Sequence, residues 1–252
     1  MEYINKIISE GEKMDISVII PMYNEAAIIV DTATQLHKYM TERFGEGNFE
    51  VLFSNDGSRD NCAELVRKLG LSGVKVTGYE QNQGKGCAVR TACLEAKGDY
   101  VVFTDADLAY GTDVIGRIFD SFMDQKDADL VIGSRNISKD GYEGYTFIRR
   151  LASKTYIKVL CLAGGFKLSD SQCGCKGFTN KAAKDIFSKC EVNGFAFDFE
   201  VIMLATKYGM KICELPVKII NHRESKVNVI RDMFRMLRDV RRIKKRIKKL
   251  PG

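Results

Sequence analysis

Gly98-Asp99-Tyr100-Val101-Val102-Phe103-Thr104-Asp105-Ala106-Asp107-Leu108 is the stretch from which the fold is read. Tyr100 to Thr104 is a run of aromatic and β-branched residues without polar alternation. That is the pattern of a strand covered on both faces, as in a parallel sheet. The strand delivers two carboxylates to its C-terminal end, where open parallel sheets gather their ligands. Extended backbone points Asp105 and Asp107 to opposite sides, but a turn starting at Thr104 brings both to one ion. Hard oxygen donors of this kind suit Mg²⁺ or Mn²⁺ rather than zinc. An isolated Asp-x-Asp also fits two solvated turn aspartates; its place after a buried strand is what favours a metal.

The same strand-then-polar-loop unit recurs along the chain. Strands are predicted over 15–20, 49–55, 74–79, 100–104 and 129–133. Helices are predicted over 25–43, from Ser58 to about Leu69, from Gly84 to Lys97 and over 112–123. Asn24 and Ser58 read as helix caps. Alternation at this spacing means βαβ units, with the polar loops collected along one edge. After Arg135 the pattern loosens. Tyr145 to Gly164 reads as an amphipathic helix with Arg150, Lys154 and Lys158 in a basic row. Residues 170–178 read as a short strand or loop. Further helices are predicted over 181–188 and from Phe197 to about Tyr208, and Lys211 to Ile220 reads as edge strand around Pro216.

The 252 residues fit one large α/β domain, and their 45% apolar content supplies its core. The eight cysteines include no Cys-x-x-Cys, and with two histidines a structural zinc site is not expected. Without a secretory signal at the N-terminus, the cysteines read as reduced, buried thiols of a cytoplasmic protein. The net charge of +6 is concentrated at one end. Residues 231–249 hold ten Lys or Arg against Asp232 and Asp239, while the remainder holds 29 basic and 31 acidic residues. The longest apolar stretch, Phe147 to Phe166, is interrupted by Arg149, Arg150, Lys154 and Lys158, so no segment approaches the ~20 apolar residues of a membrane span. Val229 to Leu250 places Ile230, Met233, Leu237, Val240, Ile243, Ile247 and Leu250 near one face among basic residues. That pattern suits a membrane surface, or a solvated basic helix packed on the domain. The division expected is residues 1–228 as the domain and 229–252 as a basic tail. A nucleic-acid arm is disfavoured, because the body lacks a basic patch.

Six motifs occur in order: Val18-Ile19-Ile20-Pro21-Met22-Tyr23-Asn24-Glu25, Asn55-Asp56-Gly57-Ser58, Asn82-Gln83-Gly84-Lys85-Gly86, Asp105-Ala106-Asp107, Asp170-Ser171-Gln172-Cys173-Gly174 and Ser225-Lys226-Val227-Asn228-Val229. Together, over about residues 14–240, the chain resembles the GT-A-fold family 2 glycosyltransferases. The nearest branch loads a sugar onto dolichyl or undecaprenyl phosphate, and the last motif with its basic tail resembles the dolichyl-phosphate β-glucosyltransferases. The resemblance implies a Rossmann-like, mostly parallel sheet with helices on both faces, followed by the C-terminal amphipathic helix. It implies an inverting transfer of a hexose, glucose from UDP-glucose, to a polyprenyl phosphate in glycan or cell-wall synthesis. The protein would lie peripherally on the inner face of the cell membrane.

By the same resemblance, Pro21, Tyr23, Glu25, Asp56, Lys85, Asp105 and Ala106 line the nucleotide-sugar site, with Asp56 on the base. Asp105 and Asp107 bind Mg²⁺ or Mn²⁺. Many relatives carry a glutamine two residues after the second aspartate; here that position is Ala109, which leaves the third metal contact open. A phosphate acceptor is already ionised at neutral pH, so it needs cations to place it rather than a base. Arg135, Arg149, Arg223, Ser225 and Lys226 are the candidates, with Arg135 and Lys226 counted as catalytic. A hydroxyl acceptor would need a carboxylate base, for which Asp198 and Glu200 are available. GDP-mannose as donor and a hydroxyl acceptor are the alternatives within the class. A sugar nucleotidyltransferase is more distant, since its Gly-rich, basic loop is replaced here by Met22-Tyr23-Asn24-Glu25. A non-catalytic nucleotide-binding module is opposed by intact Asp105, Asp107 and Lys226.

Overall fold

The computed structural model describes residues 14–138, 140–221 and 229–251, with side chains except those of 148, 149, 152 and 229–237. Strands β1 (Ile16–Met22), β2 (Phe49–Asp56), β3 (Val74–Tyr79), β4 (Tyr100–Thr104) and β5 (Leu130–Ser134) alternate with helices α1 (Ile29–Phe44), α2 (Cys62–Lys68), α3 (Lys85–Glu95) and α4 (Asp113–Asp124). Then follow α5 (Phe147–Gly164), β6 (Cys175–Thr179), α6 (Asn180–Phe187), α7 (Phe197–Lys207), β7 (Ile212–Pro216) and α8 (Val229–Ile247). The seven strands form one sheet in the order β3-β2-β1-β4-β6-β5-β7. All pairings are parallel except those of β6, which runs antiparallel between β4 and β5. The C-terminal ends of the other six strands therefore share one edge with the residues that lead into β6.

The alternation of side chains across a strand divides the core in two. Ile19, Phe103, Ile132 and Phe178 face a layer built from α3, α5, α6, α7 and α8. Val18, Ile20, Val102 and Val131 face α1, α2 and α4. Because β1 and β4 are buried on both faces, they read as unbroken apolar runs.

The segment 170–178, read as a short strand or loop, is loop up to Gly174 and then enters the short strand β6, which takes a central place in the sheet. Two expectations need correction. Asn24 and Ser58 do not cap helices: α1 and α2 begin at Ile29 and Cys62, and neither N-cap residue makes a side-chain cap bond. Instead the Asn24 amide donates to Ser58 Oγ at 3.1 Å and Asn24 Oδ1 accepts from the Arg59 amide at 2.8 Å. These bonds stitch the loop after β1 to the loop after β2. The other correction concerns the tail. From Val240 onward its apolar residues do not face outward: Val240, Ile243 and Ile247 are buried in the same core as Leu160, Phe199 and Ile202. No helix among the described residues is long and apolar enough to cross a membrane.

An ion pair fastens α8 to α7. Arg246 Nη2 lies 2.5 Å from Glu200 Oε1, and Glu200 is wholly buried. Its second oxygen accepts from the Glu191 and Val192 amides at 3.0 and 2.9 Å. Removing one partner of such a pair leaves a buried charge short of a counterion, at a cost of about 3 kcal/mol. Arg246→Ala should therefore lower the denaturation midpoint clearly in a urea titration. Lys245→Ala, one residue away and exposed, should stay within about 0.5 kcal/mol of the parent. Equal midpoints for the two variants would mean that α8 is not fastened by this pair.

Candidate active site

The loop after β2 organises the next one. Asp56, 4% exposed, accepts from Tyr79 Oη at 2.7 Å, Asn82 Nδ2 at 2.9 Å and the Gln83 and Gly84 amides at 2.8 and 2.9 Å. Its carboxylate is thus occupied by the chain's own donors, where the sequence suggested a bond to a nucleotide base. Burial, reinforced by Cys87 and Asp56, raises the Tyr79 phenol well above its usual value, so it stays a donor. Gly57 makes the arrangement sterically allowed. Its φ is +63°, and a Cβ there would lie 2.5 Å from the Asn82 amide nitrogen. Asp56 thereby fixes Gly84, and Gly84 starts α3 with Lys85 as its first residue.

Lys85 reaches across to the end of β4 and forms an ion pair with Asp105 Oδ1. Burial pulls the Lys85 ammonium down, but Asp105, Asp198 and Asp107 outweigh it, and its pKa lies above the ordinary lysine value. Asp198 opens α7 and is held at 2.5 Å by Lys176 Nζ. Lys176 stands on β6, fully buried, and also donates to the Cys173 carbonyl at 2.6 Å. Burial raises the Asp198 carboxyl above its usual range even against Lys176 and Lys85. Among the described residues, Asp105, Asp107 and Asp198 thus share the edge with the ammonium groups of Lys85 and Lys176. Lys176 was not singled out in the sequence. A lysine inside a short Gly- and Cys-containing strand was the available signal.

The Asp-x-Asp turn is shaped by its neighbours. Asp107 Oδ1 accepts from the Ala109 amide at 3.1 Å. The Ala109 carbonyl accepts from the Ile220 and Asn221 amides at 2.8 and 3.2 Å, and Asn221 Nδ2 donates to Leu108 O at 2.9 Å. The chain after β7 is thus tied to this turn immediately before residues 222–228. Arg223, Ser225 and Lys226 lie outside the described residues, as does the side chain of Arg149. On the other side of Asp105, Gly174 approaches so closely that a Cβ would lie 2.3 Å from Asp105 Oδ2. Among the described residues no group of three or more His, Cys, Asp or Glu is placed to hold a metal.

Arg135, expected to meet an acceptor phosphate, is committed elsewhere. It pairs with Asp170 through two parallel bonds, Nε to Oδ2 at 2.6 Å and Nη2 to Oδ1 at 3.0 Å. Asp170 is fully buried, and the Arg135 guanidinium lies over the Tyr142 ring at 5.4 Å. The pair links the end of β5 to the segment leading into β6. Glu200, considered as a base, faces α8 on the far side of α7. Pro21 is the last but one residue of β1, and Tyr23 is 40% exposed in the loop beyond the strand.

A family model described as Glycosyl transferase family 2 matches residues 17–187. The chain belongs to glycosyl transferase family 2. It is 30% identical to a dolichyl-phosphate β-glucosyltransferase of Trichomonas vaginalis over 94% of this chain and 75% of that one. It is likewise 30% identical to the Dictyostelium discoideum dolichyl-phosphate β-glucosyltransferase (91% and 73% covered) and 29% identical to that of Saccharomyces cerevisiae (92% and 74%). Among solved structures, glucosyl-3-phosphoglycerate synthase of Mycobacterium tuberculosis, in complex with Mn²⁺, UDP and glucosyl-3-phosphoglycerate, superposes with a TM-score of 0.68 at 18% identity. That alignment covers 95% of this chain and 81% of the synthase, and it shows the shared GT-A fold. This member of the family is thus a glycosyltransferase with the expected architecture.

Gly174 gives a direct test of the site. Gly174→Ala would push the Asp105 carboxylate aside without touching the core, and a displacement of this size is worth roughly a hundredfold in rate. Glycosyl transfer should fall by about that factor while circular dichroism and the melting temperature stay close to the parent's. Full activity in the folded variant would show that Asp105 need not keep this position.

Proposed function

We propose that this glycosyltransferase moves glucose from UDP-glucose to a polyprenyl phosphate, with inversion at the anomeric carbon. The observation that carries the proposal is the identity of about 30% to dolichyl-phosphate β-glucosyltransferases over more than nine-tenths of the chain. The site chemistry agrees with it. A nucleoside diphosphate is an anion that cannot approach these carboxylates without a cation. The Asp105 carboxylate is 33% exposed and already holds one cation, the Lys85 ammonium. Asp105 and Asp107 form a hard oxygen donor set that fits Mg²⁺ or Mn²⁺. When bound, the metal would offset the charge that develops on the departing nucleoside diphosphate. The Mn²⁺ and UDP in the Mycobacterium synthase complex support a divalent ion of this kind.

The chain's own residues have separate tasks in this reading. Asp56 shapes the loop that presents Lys85, and Lys85 stands beside Asp105 where the diphosphate would lie. Asp198 is engaged with Lys176 at 2.5 Å, which suits a positioning role better than that of a base. An ionised phosphate monoester supplies its own nucleophilic oxygen, so the reaction requires no base. Arg149, Arg223, Ser225 and Lys226 remain the candidates to place it.

The test is a panel of UDP-glucose and GDP-mannose against a polyprenyl phosphate and the corresponding polyprenol, with Mn²⁺ or Mg²⁺. Labelled lipid should form from UDP-glucose and the phosphate, and Asp107→Ala should reduce it by at least about a hundredfold. Preference for GDP-mannose would overturn the donor. Equal use of polyprenol and its phosphate would overturn the acceptor.

A further inference from the structure

Helix α5 carries an uncovered face of unusual composition. Phe147 is 78% exposed, Leu162 75%, Leu151 56% and Val159 42%. At 100° per residue, Phe147, Leu151, Lys158 and Leu162 fall within about 60° of one another. Lys154 flanks them on one side, and Arg150 lies beyond it. Leu160, on the opposite side, is 0% exposed in the core, and Ile157, next to Arg150 around the helix, is 3% exposed. The helix contains no aspartate or glutamate anywhere between Phe147 and Gly164. It therefore has one face that belongs to the domain and a second that offers large apolar side chains among cations.

We infer that α5 docks the enzyme on an anionic bilayer, with Phe147, Leu151 and Leu162 entering the headgroup boundary and Lys154 and Lys158 meeting lipid phosphates. An interfacial helix has this composition: separate large apolar side chains on one side, with basic residues at their flanks. A second copy of this chain fits the face poorly. A twofold dimer would lay the face against itself, bringing Lys154 and Lys158 towards their own copies with no carboxylate on the helix between them. Anionic headgroups supply the missing counter-charge across the whole face.

The position of the helix adds to this. Arg150 and Lys154 stand over the Tyr142 ring at 5.9 and 5.8 Å, and Arg135 stands over the same ring at 5.4 Å. Arg135 is the residue that follows β5 at the active-site edge. The start of the docking face is thus adjacent to that edge, where an acceptor anchored in lipid would have to arrive. That consequence rests on the proposed lipid acceptor; the docking does not. The C-terminal tail is the competing anchor, and its apolar residues from Val240 onward are used up against the domain.

The full-length protein should co-sediment with phosphatidylcholine vesicles containing phosphatidylglycerol, less so with phosphatidylcholine alone, and less at high salt. Leu151→Ser with Leu162→Ser, and Lys154→Glu with Lys158→Glu, should each weaken binding by at least about tenfold. Lys245→Glu with Lys249→Glu, exposed residues at the end of the tail, should leave it within about twofold. The leucine variant should keep its rate on a short, water-soluble prenyl phosphate. Vesicle binding unchanged in both α5 variants would overturn the inference. So would a change from dimer to monomer on size exclusion with vesicle binding unchanged, which would give the face to a second copy. Docking lost in the α5 variants of a protein that glucosylates no prenyl phosphate would uphold the inference and refute the acceptor.

Discussion

An ammonium group shielded from water must be paired, or the fold bears the cost of its desolvation. Lys176 is such a group, on the central antiparallel strand, with none of its surface exposed. Its partners are the Cys173 carbonyl and Asp198, the second residue of α7. This requirement draws the start of α7 onto β6 and fixes Asp198 at the C-terminal edge of the sheet. Asp198 in turn helps to hold Lys85 in its charged form beside Asp105. The resulting row of alternating charges is long in sequence and short in space. Removing Lys176 or Asp198 leaves the other buried without its nearest counterion, so the arrangement of the site and the packing of the sheet are coupled at this pair.

A second pair does for the periphery what this one does for the centre. Glu200 lies two residues beyond Asp198, and two residues on a helix turn the side chain to the far side. There it meets Arg246 and holds α8 against α7 and α5. From Val240 onward the basic tail is in this way part of the domain's packing, with Val240, Ile243 and Ile247 buried and Arg241, Arg242 and Lys245 exposed. On α5, by contrast, Phe147, Leu151 and Leu162 stay exposed beside Lys154 and Lys158.

Much of this was legible in the sequence. β1 and β4 announce themselves, since strands covered on both faces show no apolar–polar alternation and theirs are predominantly apolar, and each is followed by loop residues that cannot continue it. Asp105 was legible for the same reason. β6 was legible only as a short strand or loop: Gly177, Lys176 and Cys175 give no strand period that would place it centrally, and the burial of Lys176 depends on an aspartate 22 residues away. Asn24 and Ser58 have the composition of local caps but bond each other across 34 residues. Asp56 was recognised as important, yet its donors come from the loop after β3, which no local pattern connects to it. In the tail, periodicity located an apolar face and left open what would cover it.

The central claim is that Asp105, spaced by Gly174 and charge-matched by Lys85, is where a divalent cation and a nucleoside diphosphate meet this enzyme. Electron paramagnetic resonance of Mn²⁺, titrated into the full-length protein with and without UDP, addresses it most directly. The account predicts one Mn²⁺ bound per chain, tighter when UDP is present, and affinity at least about tenfold weaker in a folded Asp105→Asn variant. Mn²⁺ and UDP binding that is unchanged by Asp105→Asn would contradict it.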